Sequence, residues 1–157
     1  YCGLIVTAKG VRVIEFNARF GDPETQVVLP RMVSPLSEYL LAAASGTLAA
    51  RPAPELGDEV AVVVVVASQG YPGEVVAGRE LAGLDETGGL VGEPIPAATA
   101  RDEQGQWIAT GGRVLGVVAR GTDFAEARSR AYAGVARIDL EGGQHRTDIA
   151  ARVAVES

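Results

Sequence analysis

Glu15, Asn17 and Arg19 are the residues whose types and spacing could do chemistry together. They lie in the run Val13-Ile14-Glu15-Phe16-Asn17-Ala18-Arg19-Phe20-Gly21-Asp22-Pro23-Glu24, between a short strand and a helix start. Side chains alternate along a strand, so Val11, Val13, Glu15 and Asn17 share one face and Arg12, Ile14 and Phe16 take the other. Glu15 and Asn17 are then about 7 Å apart, at ~3.3 Å per residue. A carboxylate and an amide oxygen at that separation can share a hard cation such as Mg²⁺, which water and substrate phosphates complete. An edge strand with two solvated polar residues has the same pattern, and spacing alone favours it. Arg19 joins this face if the strand persists, where its guanidinium can clamp a phosphate or acyl phosphate or pair with Asp22 or Glu24.

The elements that must position these residues are readable from local signals. Gly3 to Ala8 is aliphatic and β-branched, and Lys9-Gly10 offers a two-residue turn into a second strand, Val11 to Asn17. Gly21-Asp22-Pro23-Glu24 carries helix-start chemistry, with Asp22 as cap, Pro23 in the first helical position and Glu24 complementing the dipole. The free backbone donors of that turn could also meet an anion. A helix is predicted from Pro23 to about Val33, shortened or kinked by Pro30, and a second starts at Ser34-Pro35 and closes at Gly46.

Residues Thr47 to Asp58 lose periodicity and contain two prolines, which suggests a linker or a boundary strand. Beyond them Val60 to Ala67 reads as a strand buried on both faces. Gly70-Tyr71-Pro72-Gly73 is a turn. Short strands are predicted at Arg79 to Leu84, Glu93 to Ala100, Gln106 to Thr110 and Arg113 to Arg120, separated by Gly- or Asp-rich turns, as in a small antiparallel barrel or sandwich. Asp123 and Glu126 form a capping box for a helix to Arg137 that buries Phe124, Ala127, Ala131, Val135 and Ile138. The fold class is α+β.

Composition narrows the function classes. A chain of 157 residues, 47% hydrophobic, with net charge −6, is expected to be soluble and globular. Scattered basic residues and that net charge argue against nucleic acid or a membrane surface as partner. One cysteine, Cys2, and one histidine make a disulfide framework or a zinc site improbable and fit a reducing cytoplasm. The apolar run Val60 to Ala67 is far too short to span a membrane, and no signal peptide is visible. The first residue is Tyr1 and strand character begins at once, so the chain is expected to be entered part-way.

At Glu15 to Glu24 the sequence EFNARFGDPE resembles the signature of the phosphoribosylamine–glycine ligases, also called glycinamide ribonucleotide synthetases. Three further stretches resemble the same family in the expected order: Ala67 to Gly73, Gly111-Gly112-Arg113-Val114-Leu115-Gly116-Val117, and Arg146-Thr147-Asp148-Ile149. The resemblance implies the end of an ATP-grasp catalytic core over residues 1–56, a β-hairpin plus two helices. It implies the small C-terminal domain of that family over residues 57–157. It further implies ATP-dependent ligation of glycine to 5-phosphoribosylamine in purine biosynthesis, with ATP and Mg²⁺ or Mn²⁺ as cofactors and a monomeric enzyme in the cytoplasm.

Carried over residue by residue, Glu15 and Asn17 hold the metal ions that bridge the nucleotide phosphates, and Arg19 acts on the substrate or transition state. Asp22, Glu24, Gly112 and Arg113 are candidate substrate residues, although Asp22 is equally well explained as a cap and Gly111-Gly112 as a plain tight turn. His145 reads as solvated. The isolated chain is expected to be inactive.

The chain departs from the family pattern at Ile95-Pro96-Ala97-Ala98-Thr99, where the family usually shows Phe-His-Ala-Gly-Thr, and at His145 and Ala150, where an aromatic residue and a glycine are expected. Two rival readings stand beside the ligase. One is a different ATP-grasp carboxylate–amine ligase, which would share the Glu-x-Asn pair; the other is a non-catalytic binding module derived from that fold.

Overall fold

The computed structural model describes residues 1–84 and 92–156. The predicted hairpin forms from β1 (Cys2–Thr7) and β2 (Gly10–Phe16), paired antiparallel, with Gly10 at φ +92° opposite Thr7. The turn therefore falls at Ala8-Lys9, one residue before the predicted place. Both faces of the hairpin are largely apolar and open, with Val6 82%, Ile14 66% and Phe16 79% exposed.

The predicted first helix is much shorter than its pattern. Only α1 (Thr25–Val28) is α-helical, and it runs directly into a 3₁₀ turn at Leu29–Arg31 that contains Pro30. Asp22 does not cap it and Pro23 is not its first residue. The Asp22–Pro23 peptide is cis, and Glu24 takes the N-cap position without a side-chain cap bond. The second helix, α2 (Leu36–Ala44), ends as predicted at Gly46. The Gly46 N–H donates to the Ala43 carbonyl at 3.2 Å and the Thr47 N–H to the Ala42 carbonyl at 2.8 Å, the two bonds of a Schellman closure, and Gly46 has the required positive φ of +70°. The expected linker is tied down: Val33 N–H donates to the Glu55 carbonyl and Gly57 N–H to the Arg31 carbonyl.

The core lies in the second part of the chain. β3 (Val60–Ala67), β5 (Glu93–Pro96) and β8 (Arg113–Gly121) form an antiparallel sheet in the order β3-β8-β5. Val62, Val64 and Val66 of β3 and Leu115, Val117 and Ala119 of β8 are buried against Ala127, Ala131 and Val135 of α3 (Phe124–Val135). The predicted capping box forms, shifted at one bond. Asp123 Oδ1 accepts from Glu126 N–H at 2.7 Å, whereas Glu126 Oε2 accepts from the N–H of Thr122, one residue before the cap. Helix and sheet approach closely at Gly134, where an added Cβ would lie 2.7 Å from Val117 Cγ1 and 2.8 Å from the Gly92 carbonyl oxygen.

The remaining strands are fragments: β4 (Leu81–Ala82) with β9 (Asp139–Leu140), and β6 (Thr99–Arg101) with β7 (Trp107–Ala109). The α+β class stands, but no closed barrel is found among the described residues. Pro94 and Pro96 remove donors from β5, and strands of two or three residues are too short to carry the ladder around a barrel. The turn expected just after Leu84 lies outside the described residues. A last short helix, α4 (Val153–Glu156), follows. No helix of the described residues is long and apolar enough to cross a membrane.

Candidate functional site

Glu15, Asn17 and Arg19 each lie beside Tyr1 at the open end of the hairpin, Glu15 and Arg19 at its side chain and Asn17 at its backbone. Leu4 pairs with Val13 but Gly3 pairs with Glu15, so Ile14 is an extra, bulged residue immediately before Glu15. Such bulges bend a strand and re-aim the side chains beside them. Past Phe16 the ladder continues, with Asn17 N–H donating to the Tyr1 carbonyl at 2.8 Å and the Tyr1 backbone nitrogen donating to the Asn17 carbonyl at 2.7 Å. Tyr1 gathers the group. Its hydroxyl donates to Glu15 Oε1 at 3.4 Å, and the Arg19 guanidinium lies 5.8 Å from its ring centroid. Sequence reasoning missed Tyr1, although extending the hairpin register by one pair from Cys2 opposite Phe16 places it beside Asn17.

Glu15 and Arg19 are exposed and Asn17 is half-buried, its Nδ2 buried with no hydrogen-bond partner. The donor chemistry of the pair fits a hard divalent cation, since it offers one carboxylate and one carboxamide oxygen and no sulfur or imidazole. Among the described residues no cluster of three or more His, Cys, Asp or Glu could hold a metal. The pair would by itself leave most of an octahedral Mg²⁺ shell to water and substrate oxygens, so it is no complete protein cage.

The other predicted residues fall into two places. Asp22 and Arg113 meet each other: Arg113 NH2 lies 3.1 Å from Asp22 Oδ2, and Arg113 NH1 donates to the Asp22 carbonyl at 2.9 Å. This fork ties the loop after the hairpin to the start of β8, across 91 residues of sequence. Asp22 Oδ1 also accepts from Gln26 Nε2 at 3.1 Å. Glu24 folds back over Gly21, where an added Cβ would collide with Glu24 Oε2. A shallow cavity of about 180 Å³ runs between Tyr1, Arg19, Glu24 and α1.

Gly112 packs under Tyr71, whose ring Cδ2 would be 2.5 Å from an added Cβ. The Gly111-Gly112 loop is fixed by Ser68, whose N–H donates to the Gly112 carbonyl and whose hydroxyl donates to the Gly111 carbonyl at 2.7 Å. Beside it Arg113, Tyr71, Val65, Gln144, His145 and Arg146 line a cavity of about 380 Å³. Sequence reasoning read His145 as solvated, and it is exposed, but on the rim of that cavity.

Segment 146–149 is held by α3. Tyr132 OH donates to the Arg146 carbonyl at 2.7 Å, and Arg128 donates to the carbonyls of Thr147 and Ile149. Arg146 and Asp148 form a two-bond pair at 2.8 and 2.6 Å, which holds the Asp148 carboxyl below the usual carboxylate range and pushes the Arg146 guanidinium up. Glu126 is lowered as well, chiefly by the N–H and then the hydroxyl of Thr122.

The family profile of the phosphoribosylglycinamide synthetase C domain matches residues 61–152, more than half of the chain. The chain belongs to that family. Curated relatives carry the name phosphoribosylamine–glycine ligase: the protein of Leifsonia xyli is 63% identical over 97% of this chain, and that of Streptomyces coelicolor 54% identical over 98%. The chain spans 37% and 38% of their lengths. A crystal structure of the phosphoribosylamine–glycine ligase of Thermotoga maritima superposes with a TM-score of 0.72 at 30% identity, covering 94% of this chain and 35% of that one. The phosphoribosylglycinamide synthetase assignment and the α+β class read from the sequence therefore hold.

Proposed function

We propose that this chain supplies one wall of the nucleotide–metal site of an ATP-dependent ligase that joins glycine to 5-phosphoribosylamine. The observation that carries the reading is the grouping of Glu15, Asn17 and Arg19 around Tyr1 at the hairpin end, in a chain of the phosphoribosylglycinamide synthetase family. Residues 1–56 are the end of the ATP-grasp core and residues 57–157 the family's C domain, a division supported by the match over 61–152. The enzyme works as a cytoplasmic monomer.

The reaction has two balanced steps. A carboxylate oxygen of glycine attacks the γ-phosphorus of ATP, forming glycyl phosphate and releasing ADP. The amine of phosphoribosylamine then attacks the acyl carbon, forming the amide C–N bond as inorganic phosphate departs and the amine loses a proton. Such phosphoryl transfer is governed by positioning and electrostatics. Glu15 and Asn17 would hold Mg²⁺ or Mn²⁺, which when bound neutralises charge on the phosphate oxygens. Arg19, exposed and fixed by its bond to the Phe20 carbonyl at 2.9 Å, offers its remaining donors to the acyl phosphate. Asp22 and Arg113 hold the loop that follows, Glu24 lines the smaller cavity, and Gly112 packs under Tyr71 beside the larger one.

The test is Glu15→Gln in the complete protein that carries this chain, with glycine-dependent ADP release as the readout. Turnover falls by orders of magnitude while the melting temperature is unchanged. Near wild-type turnover would sink the assignment.

A further inference from the structure

We infer that Ser68 is a positioning residue, which through Gly111-Gly112 and Arg113 fixes the loop that carries Arg19. The effect on turnover rests on the ligase reading, in which Arg19 acts on the acyl phosphate; the mechanical link does not. Ser68 is 2% exposed and is the one buried polar residue among the described residues. A buried hydroxyl is costly unless it is bonded. This one donates to the Gly111 carbonyl at 2.7 Å, and the Ser68 N–H donates to the Gly112 carbonyl at 2.8 Å. Ser68 is itself anchored on both sides. Ala67 exchanges backbone bonds of 2.8 and 2.9 Å with Gln144, and the Ser68 carbonyl accepts from the Tyr71 N–H at 3.2 Å.

Two consecutive glycines have wide backbone freedom and no side chains with which to pack. There is little room for side chains here, since an added Cβ would lie 3.0 Å from Ala98 Cβ at Gly111 and 2.5 Å from Tyr71 Cδ2 at Gly112. The backbone must therefore be held by its own polar groups, and Ser68 takes both carbonyls. The next residue is Arg113. Val66 pairs with Leu115 but Ala67 with Arg113, so Val114 is bulged immediately beside Arg113 and turns it out of the alternation of β8. There its guanidinium forks onto Asp22, 3.1 Å from Oδ2 and donating to the carbonyl at 2.9 Å. Asp22 lies three residues beyond Arg19, whose guanidinium donates to the Phe20 carbonyl at 2.9 Å in the same loop. An unbroken line of bonds thus runs from the buried hydroxyl to the loop that presents Arg19. Without the hydroxyl the Gly111 carbonyl loses its donor, the glycine pair regains freedom, and Arg113 carries the shift to Asp22. A misplacement of about 1 Å can slow turnover ~100-fold, and partial loosening is expected to slow it about tenfold.

The experiment uses the complete protein that carries this chain and compares Ser68→Ala, Asp22→Asn and the double variant with wild type. Gly134→Ala, which crowds α3 against the sheet, is the control for plain loss of stability. Ser68→Ala is expected to lower kcat for glycine-dependent ADP release about tenfold while KM for ATP and glycine is unchanged. It also speeds amide hydrogen exchange in peptides covering residues 18–24 about threefold or more. Ser68→Cys, with a weak S–H donor, recovers part of both changes. Gly134→Ala lowers the melting temperature and produces neither. The double variant turns over as slowly as Asp22→Asn alone, because both substitutions break one line of bonds. Losses that multiply in the double variant, or a Gly134→Ala that matches Ser68→Ala in kcat and exchange, overturn the inference. So does faster exchange at unchanged kcat in an active ligase.

The two readouts separate this inference from the ligase reading. A protein without ligase activity whose residues 18–24 exchange faster in Ser68→Ala refutes the ligase reading and keeps the mechanical link. An active ligase in which Ser68→Ala changes neither exchange nor kcat refutes the link and keeps the reading.

Discussion

Gly134→Ala sets two opposed effects against each other, and the structure says which wins. Gly134 lies in the last turn of α3, where replacing glycine by alanine in a helix interior ordinarily gains about 1 kcal/mol. Here the new methyl would sit 2.7 Å from Val117 Cγ1, 2.8 Å from the Gly92 carbonyl oxygen and 3.1 Å from Gly92 Cα. None of these neighbours yields easily. Val117 is fully buried in the central strand, and Gly92 is anchored by its N–H bond to the Arg130 carbonyl at 2.9 Å. Overpacking of this kind costs roughly 1–3 kcal/mol, and two contacts under 3 Å, one of them to backbone, place the cost at the upper end. The net change is then about 1–2 kcal/mol destabilising, a fall in melting temperature of roughly 2–8 °C for a domain of this size. Thermal unfolding by circular dichroism reads it, with the exposed Ser129→Ala of the same helix as control, expected to gain a few tenths of a kcal/mol. A melting temperature for Gly134→Ala at or above wild type would mean that helix and sheet are not in the close contact described.

Asp123→Ala removes the side-chain acceptor at the α3 N-terminus and is expected to cost about 1 kcal/mol, read as a lower denaturant midpoint at unchanged slope. The carboxyls of Glu126 and Asp148 are both lowered by folding, so each contributes stability above its ordinary value of 4.5 or 3.8 and loses it as pH falls through the lower folded value. Melting temperature should therefore be insensitive to these two groups between pH 7 and 5 and drop below about pH 4.5. Glu126→Gln and Asp148→Asn should each flatten that drop, and an unchanged acid slope in both would refute the assignment.

What was legible in the sequence is what local chemistry decides. The hairpin, the all-aliphatic β3, the Gly46 helix stop and the Asp123 cap each depend on residues within one turn or one strand of each other, and each formed within one residue of its signal. Asp22 shows the limit. Its sequence neighbours read as a helix start, but Arg113, 91 positions away, takes its side chain and carbonyl, and the helix begins at Thr25 instead. For a related reason no closed barrel is found among the described residues: strand spacing suggested closure, while the prolines of β5 and the brevity of β4, β6, β7 and β9 leave one three-stranded sheet and two short ribbons beside it. The 380 Å³ cavity was illegible because its walls come from residues 65–71, 113 and 144–146, which only the β3–β8 pairing and the Ala67–Gln144 bridge bring together in space. The two bulges, at Ile14 and Val114, carry no composition signal, yet each sits beside a residue with a proposed role.

Trp107 is the single tryptophan of the chain. It packs against the core in β7 with the Arg101 guanidinium 4.2 Å above its ring. The hairpin and both early helices contain no indole at all. Fluorescence therefore watches the later part of the chain alone, while circular dichroism sees every strand and helix. If the apolar hairpin loosens before the core does, the dichroism midpoint will fall below the fluorescence midpoint, and the gap between the two curves measures how far the candidate metal pair depends on its neighbours to stay in place.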